Sequence, residues 1–112
     1  DKQEREGNEL QVNTLEDIKN RLIPQKSFLK QTYGINHIGI FGSFVRNEQT
    51  SESDVDLLID FDNSIMYSLF EMAEIRRYFC KLLEREVDIV KPSSLKTRPT
   101  IGEKILNEVV YL

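Results

Sequence analysis

The chain has 112 residues, of which 39% are hydrophobic and 30% charged, a composition typical of one soluble globular domain. Its net charge of −4 argues against a long nucleic acid as substrate, because proteins that grip polynucleotides neutralise several phosphates with Lys and Arg. No apolar run is long enough for a membrane span, and the single cysteine excludes an internal disulfide, so we expect a cytoplasmic protein.

The first third of the chain predicts a tail followed by two short helices. Residues 1–13 are polar with little apolar periodicity, and we expect them to be disordered or frayed, with a single domain over residues 14–112. Thr14 is suited to cap a helix, Pro24 interrupts the apolar stripe that follows, and Gly34 is a plausible stop.

Three segments rich in β-branched and aromatic residues predict strands. They cover residues 35–41, 54–61 and 86–90. A short helical turn over residues 44–47 follows the first strand, and a polar loop leads to the second.

Two further helices are predicted. Ser64 is suited to cap a helix that continues to about residue 84, and a last helix covers residues 101–110. The apolar face of the longer helix would consist of Ile65, Leu69, Met72, Ile75, Phe79 and Leu82.

The connections between strands predict the sheet. The first connection is too short for a helical crossover, so the first two strands should be antiparallel. The second connection holds the long helix, which indicates a right-handed parallel crossover. The expected fold is therefore α+β: a small mixed sheet of three strands, possibly more, with helices packed on one face.

Three aspartates fall where this sheet would bring them together. Alternation in a strand places Asp54 and Asp56 on one face, and Asp88 lies between two apolar residues of the third strand. The strand directions then bring all three to one edge, beside Gly42 and Ser43. Clustered carboxylates repel each other unless a cation lies among them, and hard oxygen ligands suit Mg²⁺. Gly42 allows a phosphate to approach the backbone closely, and Ser43 offers its hydroxyl and N–H groups to the same anion.

These residues resemble a known pattern. Gly42-Ser43, ten residues and then Asp54-x-Asp56 resemble the signature of the DNA polymerase beta-like nucleotidyltransferases, and Asp88 fits their third acidic residue. The segment FGSFVRNEQTSESDVDLLIDF and the ending ILNEVVYL resemble the minimal nucleotidyltransferases (MNT proteins). The resemblance extends over residues 14–112.

The resemblance implies a polymerase beta-like fold and a set of roles. Asp54 and Asp56 would bind two Mg²⁺ ions, whereas Asp88 would bind one and take the proton of the acceptor. Gly42 and Ser43 would hold the β- and γ-phosphates of ATP. Proteins of this kind are antitoxins that transfer AMP to a tyrosine of a HEPN ribonuclease toxin, which would be the partner.

Some points stay open. Arg46 could reach the triphosphate or form an ion pair with acids of the following loop, and Asn47 replaces the Gly that relatives usually carry there. Asn tolerates the left-handed backbone that Gly would adopt. Two other functions fit the sequence: an antitoxin that acts by binding alone, and a nucleotidyltransferase for a small hydroxylated molecule.

Overall fold

The computed structural model describes residues 12–112. The helices are α1 (Leu15–Leu22), α2 (Lys26–Tyr33), α3 (Ser43–Arg46), α4 (Leu69–Leu83) and α5 (Pro99–Glu108). The strands are β1 (Ile35–Phe41), β2 (Val55–Phe61), β3 (Val87–Val90) and β4 (Val110–Tyr111). Short 3-10 helices cover Ile23–Gln25 and Pro92–Thr97. Within residues 12–112, none of the helices has the length and apolar character that crossing a membrane requires.

The strands form one mixed sheet in the order β3-β2-β1-β4. β1 and β2 are antiparallel, and β2 and β3 are parallel with α4 as their crossover, as the connections predicted. The fourth strand was missed. The last helix ends at Glu108 rather than residue 110, since Val109 adopts an extended backbone, and β4 then pairs antiparallel with β1.

The predicted boundaries in the first third of the chain are confirmed. Thr14 caps α1 in a capping box with Asp17, each side chain bonding the other residue's backbone N–H. Pro24 lies in the 3-10 helix that separates α1 from α2, and Gly34 ends α2 in the left-handed conformation at φ 68°.

The predicted start of the long helix is wrong. Ser64 donates its hydroxyl to the Asp62 carboxylate at 2.7 Å, which stabilises a local turn, and Ser68 caps α4 instead. Ile65 and Leu69, which we expected on the buried face, are 42% and 91% exposed. The helix buries Ile75, Phe79 and Leu83.

Both faces of the sheet carry helices. On one face α1, α2 and α4 cover a large apolar core that includes Ile40, Leu57 and Ile59. On the other face a smaller cluster joins Phe41 and Leu58 to Ile105 of α5. The prediction of helices on one face was therefore incomplete, because Phe41 and Leu58 also present apolar side chains on the second face and need a cover.

The prediction that residue 12 belongs to a frayed tail is wrong. Residues 1–11 lie outside the described residues. Val12, however, is fully buried in the large core, and its carbonyl accepts a hydrogen bond from Nε of Arg85 at 2.7 Å. The packed part of the chain therefore includes Val12.

Candidate active site

The three aspartates lie at one end of the sheet, where β2 and β3 begin. The parallel register pairs Asp56 with Asp88, so their side chains leave the same face on neighbouring strands. Asp54 directly precedes β2 and shares that face by alternation. Asp54 and Asp88 are exposed and Asp56 is half-buried. The structure thus brings together the carboxylates that the sequence pattern selected, and their catalytic role stays a prediction.

Gly42 lies directly against Asp56. It follows Phe41, which pairs with Asp56 in the antiparallel register of β1 and β2. A Cβ atom at Gly42 would overlap the Asp56 carboxylate, and the backbone there has φ 88° and ψ −155°, a conformation that glycine alone adopts readily. The Gly-Ser turn and the carboxylates therefore form one contiguous site.

Burial and neighbouring negative charges make ionisation of the Asp56 carboxyl unfavourable. The pKa of this carboxyl is raised from 3.8 to about 6, first by burial and then by the nearby charges of Asp88 and Asp54, whereas the charge of Arg46 opposes the shift. Neutral Asp56 is thus favoured in weakly acidic solution. A cation placed among these groups would relieve the repulsion that keeps the proton on Asp56.

The chemistry of these donors fits a hard divalent cation such as Mg²⁺, which takes carboxylate oxygens and keeps several waters. Over residues 12–112, however, no three acidic, histidine or cysteine side chains are gathered closely enough to hold an ion as they stand.

Ser43 and Arg46 delimit α3, which follows Gly42 without a break. Ser43 is the first residue of this helix, where backbone N–H groups have no intrahelical partner. Asn47 ends the helix in the left-handed conformation at φ 61°, as we expected of an Asn in place of Gly.

Arg46 is engaged in ion pairs. Its Nε donates to Glu48 at 3.0 Å and its Nη1 donates to Glu108 at 3.0 Å. These hydrogen bonds, that to Glu48 first, raise the pKa of Arg46. The pair with a loop acid, one of the two alternatives for Arg46, is therefore present, and contact with a triphosphate stays a prediction.

Glu108 is a site residue that the sequence analysis missed. It is the last residue of α5, and its carboxylate accepts hydrogen bonds from the backbone N–H of Gly42 at 2.7 Å and from Arg46. A signal was available in the sequence. A negative charge at the C-terminal end of a helix opposes the helix dipole, so a glutamate there calls for another partner.

Asp60, at the far end of β2, does not belong to this site. It shares the face of Asp56 but lies beside the exposed His37, whose Nδ1 is 3.2 Å from its carboxylate. The acidic face of β2 is therefore divided between its two ends, and Asp60 provides a matched control for experiments on Asp56.

Known proteins resemble the chain over most of its length. The family described as polymerase beta, nucleotidyltransferase matches residues 25–112. The protein adenylyltransferase MntA of Thermococcus cleftensis is 42% identical over 99 residues, which cover 88% of this chain and 96% of that protein.

Solved structures resemble the fold. A structure assigned to the minimal nucleotidyltransferases has a TM-score of 0.71 at 30% identity and covers 89% of this chain and 97% of its own. A crystal structure of a toxin–antitoxin complex with AMP-PNP has a TM-score of 0.63 at 19% identity and covers 83% of this chain and 70% of its own, which shows a shared fold. The chain itself is a nucleotidyltransferase of the polymerase beta family and belongs to its minimal group.

Proposed function

We propose that this protein is an antitoxin that transfers AMP from ATP to a tyrosine hydroxyl of a HEPN-type toxin, with Mg²⁺ as cofactor. The observation that carries the proposal is the register of Asp56 and Asp88 on adjacent strands, with Gly42 pressed against Asp56. Nucleotidyl transfer needs carboxylates and a phosphate-binding turn side by side, and this arrangement supplies both.

The proposal assigns each residue a task. Asp54 and Asp56 would hold two Mg²⁺ ions, and Asp88 would share one of them. When bound, the metal neutralises charge on the phosphates and positions them for displacement. Ser43 would hold the β- and γ-phosphates through its hydroxyl and the N–H groups at the start of α3, and Arg46 would contact the same phosphates.

The reaction is an in-line displacement at the α-phosphorus of ATP. The acceptor oxygen forms a bond to this phosphorus while the bond to the bridging oxygen of the β-phosphate breaks, so that pyrophosphate leaves. Asp88 would accept the proton of the acceptor hydroxyl, because it is exposed beside Asp56 and open to an incoming group. Positioning and charge neutralisation supply most of the catalysis in such transfers.

The choice of acceptor rests on relatives and on the size of the domain. The named relative from Thermococcus cleftensis is a protein adenylyltransferase, and a protein of the same fold was crystallised in a toxin–antitoxin complex with AMP-PNP. The described residues form a sheet and its covering helices without a second lobe that would enclose a small acceptor. We therefore propose that a partner protein brings the hydroxyl, in a reducing cytoplasm where the free thiol of Cys80 persists.

The test is transfer of label from α-³²P-ATP to the protein encoded beside this one. We expect Mg²⁺-dependent labelling of the partner, with intact mass showing added AMP, and loss of the label after chelation of the metal or in Asp54→Asn, Asp56→Asn and Asp88→Asn. Asp60→Asn, on the same face of β2 but at its other end, is the matched control and should retain activity.

Other results would redirect the assignment. Labelling that survives Asp56→Asn would remove the carboxylates from the mechanism. A partner whose toxicity is suppressed equally by wild-type protein and Asp56→Asn, without label, would indicate an antitoxin that acts by binding alone. Label found only on a small hydroxylated molecule would indicate the third function considered above.

A further inference from the structure

Glu108 connects the end of α5 to the Gly-Ser turn. One carboxylate oxygen accepts the N–H of Gly42 at 2.7 Å, and both oxygens accept Nη1 of Arg46, at 3.0 and 3.1 Å. The Glu108 side chain is only 17% exposed, so its charge-assisted bond to the Gly42 N–H is partly sheltered from solvent, whereas the bonds from Arg46 are exposed. The contact is long-range, because Gly42 and Glu108 have a sequence separation of 66.

The position of Gly42 is fixed from two sides. The Asp56 carboxylate occupies the space where a Cβ would lie, and Glu108 binds the N–H group. Ser43 follows directly, so a displacement of Gly42 would move Ser43 relative to Asp56. The helix that carries Glu108 is packed on the sheet, because Ile105 of the same helix is buried against Phe41 and Leu58.

We infer that Glu108 is a positioning residue for nucleotidyl transfer, acting through Gly42 and Arg46 rather than on the substrate. Its bond occupies the N–H of Gly42, so Gly42 contributes close approach to the phosphates and the hydrogen bonds come from Ser43 onward. The pairs with Glu48 and Glu108 use Nε and Nη1 of Arg46 and orient its guanidinium, leaving Nη2 for a phosphate oxygen. This inference rests on the proposed function.

The experiment compares Glu108→Ala and Glu108→Gln with Glu103→Ala, an exposed glutamate of the same helix. Glu108→Ala should lower kcat about 10- to 100-fold, because misplacing a catalytic group by about 1 Å has effects of this order. The amide oxygen in Glu108→Gln still accepts the Gly42 N–H but its nitrogen cannot accept from Arg46, so the loss should be intermediate. Glu103→Ala should match wild type.

A second measurement does not depend on activity. In ¹⁵N,¹H spectra of the nucleotide-free protein, the Gly42 amide should shift and exchange with solvent faster in Glu108→Ala, and stay near its wild-type position in Glu108→Gln and Glu103→Ala. If the wild-type protein transfers no AMP, the proposed function fails, while this spectrum still decides whether Glu108 holds the turn.

Two outcomes would overturn the inference. A Gly42 amide that is unchanged in Glu108→Ala would show that the turn keeps its place without the carboxylate. A lower KM for ATP with an unchanged kcat in Glu108→Ala would show that Glu108 competes with the triphosphate instead of positioning the turn.

Discussion

At the scale of single residues, the negative charge that the proposed mechanism requires on Asp56 lowers the stability of the folded protein. Its pKa of about 6 in the metal-free fold, against 3.8 for an unperturbed aspartate, means that the folded state holds this proton more tightly than the unfolded chain. The stability associated with the proton is complete below pH 3.8 and is lost as pH rises through about 6. The ionised form, which the proposed mechanism requires, is thus the less stable one when no metal is bound.

Asp56→Asn should therefore stabilise the metal-free protein while abolishing transfer. A pKa difference of this size corresponds to about 3 kcal/mol if fully retained, and solvent screening at a half-buried group reduces it to about 1 kcal/mol. Urea unfolding in EDTA at pH 7.5 should show this gain, which should fade at pH 4. An Asp56→Asn protein that is less stable than wild type at pH 7.5 would contradict this expectation.

Gly42 and Asn47 flank α3 with positive φ values but different tolerance to substitution. Gly42→Ala should cost about 1–3 kcal/mol in backbone strain alone and also displace Asp56, so both stability and transfer should fall. Asn47→Gly, which places glycine in a left-handed position of ordinary geometry, should change stability by less than about 1 kcal/mol. Thermal unfolding and kcat of the two variants test this difference, and an active Gly42→Ala protein would refute it.

At the scale of elements, the residue that ends α4 has an unfavourable backbone conformation. Its C-cap, Glu84, adopts the left-handed conformation at φ 56°, where glycine has no steric penalty. Glu84→Gly should raise the free energy of unfolding by about 1 kcal/mol. The same change at Glu74, inside the helix and exposed, should lower it by about 1 kcal/mol. Equal effects of the two substitutions, measured by thermal unfolding, would show that the cap is not the cause.

The elements also show what the sequence could predict. Regular periodicity and turn residues located β1 to the residue and the break at Pro24. The start of α4 was misplaced because Ser64 and Ser68 both suit a cap, and the choice depends on the contact of Ser64 with Asp62. β4 was missed because two residues carry too little pattern, and its pairing with β1 depends on tertiary packing.

The candidate site was predictable to the extent that strand directions determine it. Alternation and connection lengths were enough to bring Asp88 beside Asp56. Glu108 was not predicted to be a site residue, because its place beside Gly42 depends on how α5 packs on the second face of the sheet. A glutamate at the end of a helix indicates that it needs a partner, but the local sequence does not show which residue that partner is.

At the scale of the whole molecule, Arg85 joins distant parts of the chain. It is only 8% exposed, and its guanidinium donates to carbonyls of Val12 and of the loop before β2, at 2.7 Å to Val12 and 2.8 Å to Ser53. It also lies over the ring of Phe44, with 5.0 Å from Cζ to the ring centroid. The Arg85 side chain thus connects three parts of the chain: the beginning of the described residues, the loop that leads to Asp54, and the helix α3 that follows Gly42.

Arg85→Lys should destabilise the protein by about 2–3 kcal/mol, since one ammonium group cannot serve both Val12 and the loop, and buried carbonyls would lose charged partners. Arg77→Lys, on the exposed side of α4, is the control and should be neutral. Chemical denaturation measures both. A neutral Arg85→Lys would mean that water replaces the missing donors.

The hydrogen-bond partners of Arg85 are backbone carbonyls and the side-chain amide oxygen of Asn13, none of which carries a net charge. Acid that protonates Asp56 therefore leaves these acceptors unchanged, and the segment that precedes Asp54 should keep its hydrogen bonds to Arg85 while Asp56 loses its charge. Amide exchange of residues 50–53, corrected for its intrinsic pH dependence, should be equally protected at pH 5 and pH 8. Activity lost in mild acid would then be regained at once when neutrality returns, with no refolding in between.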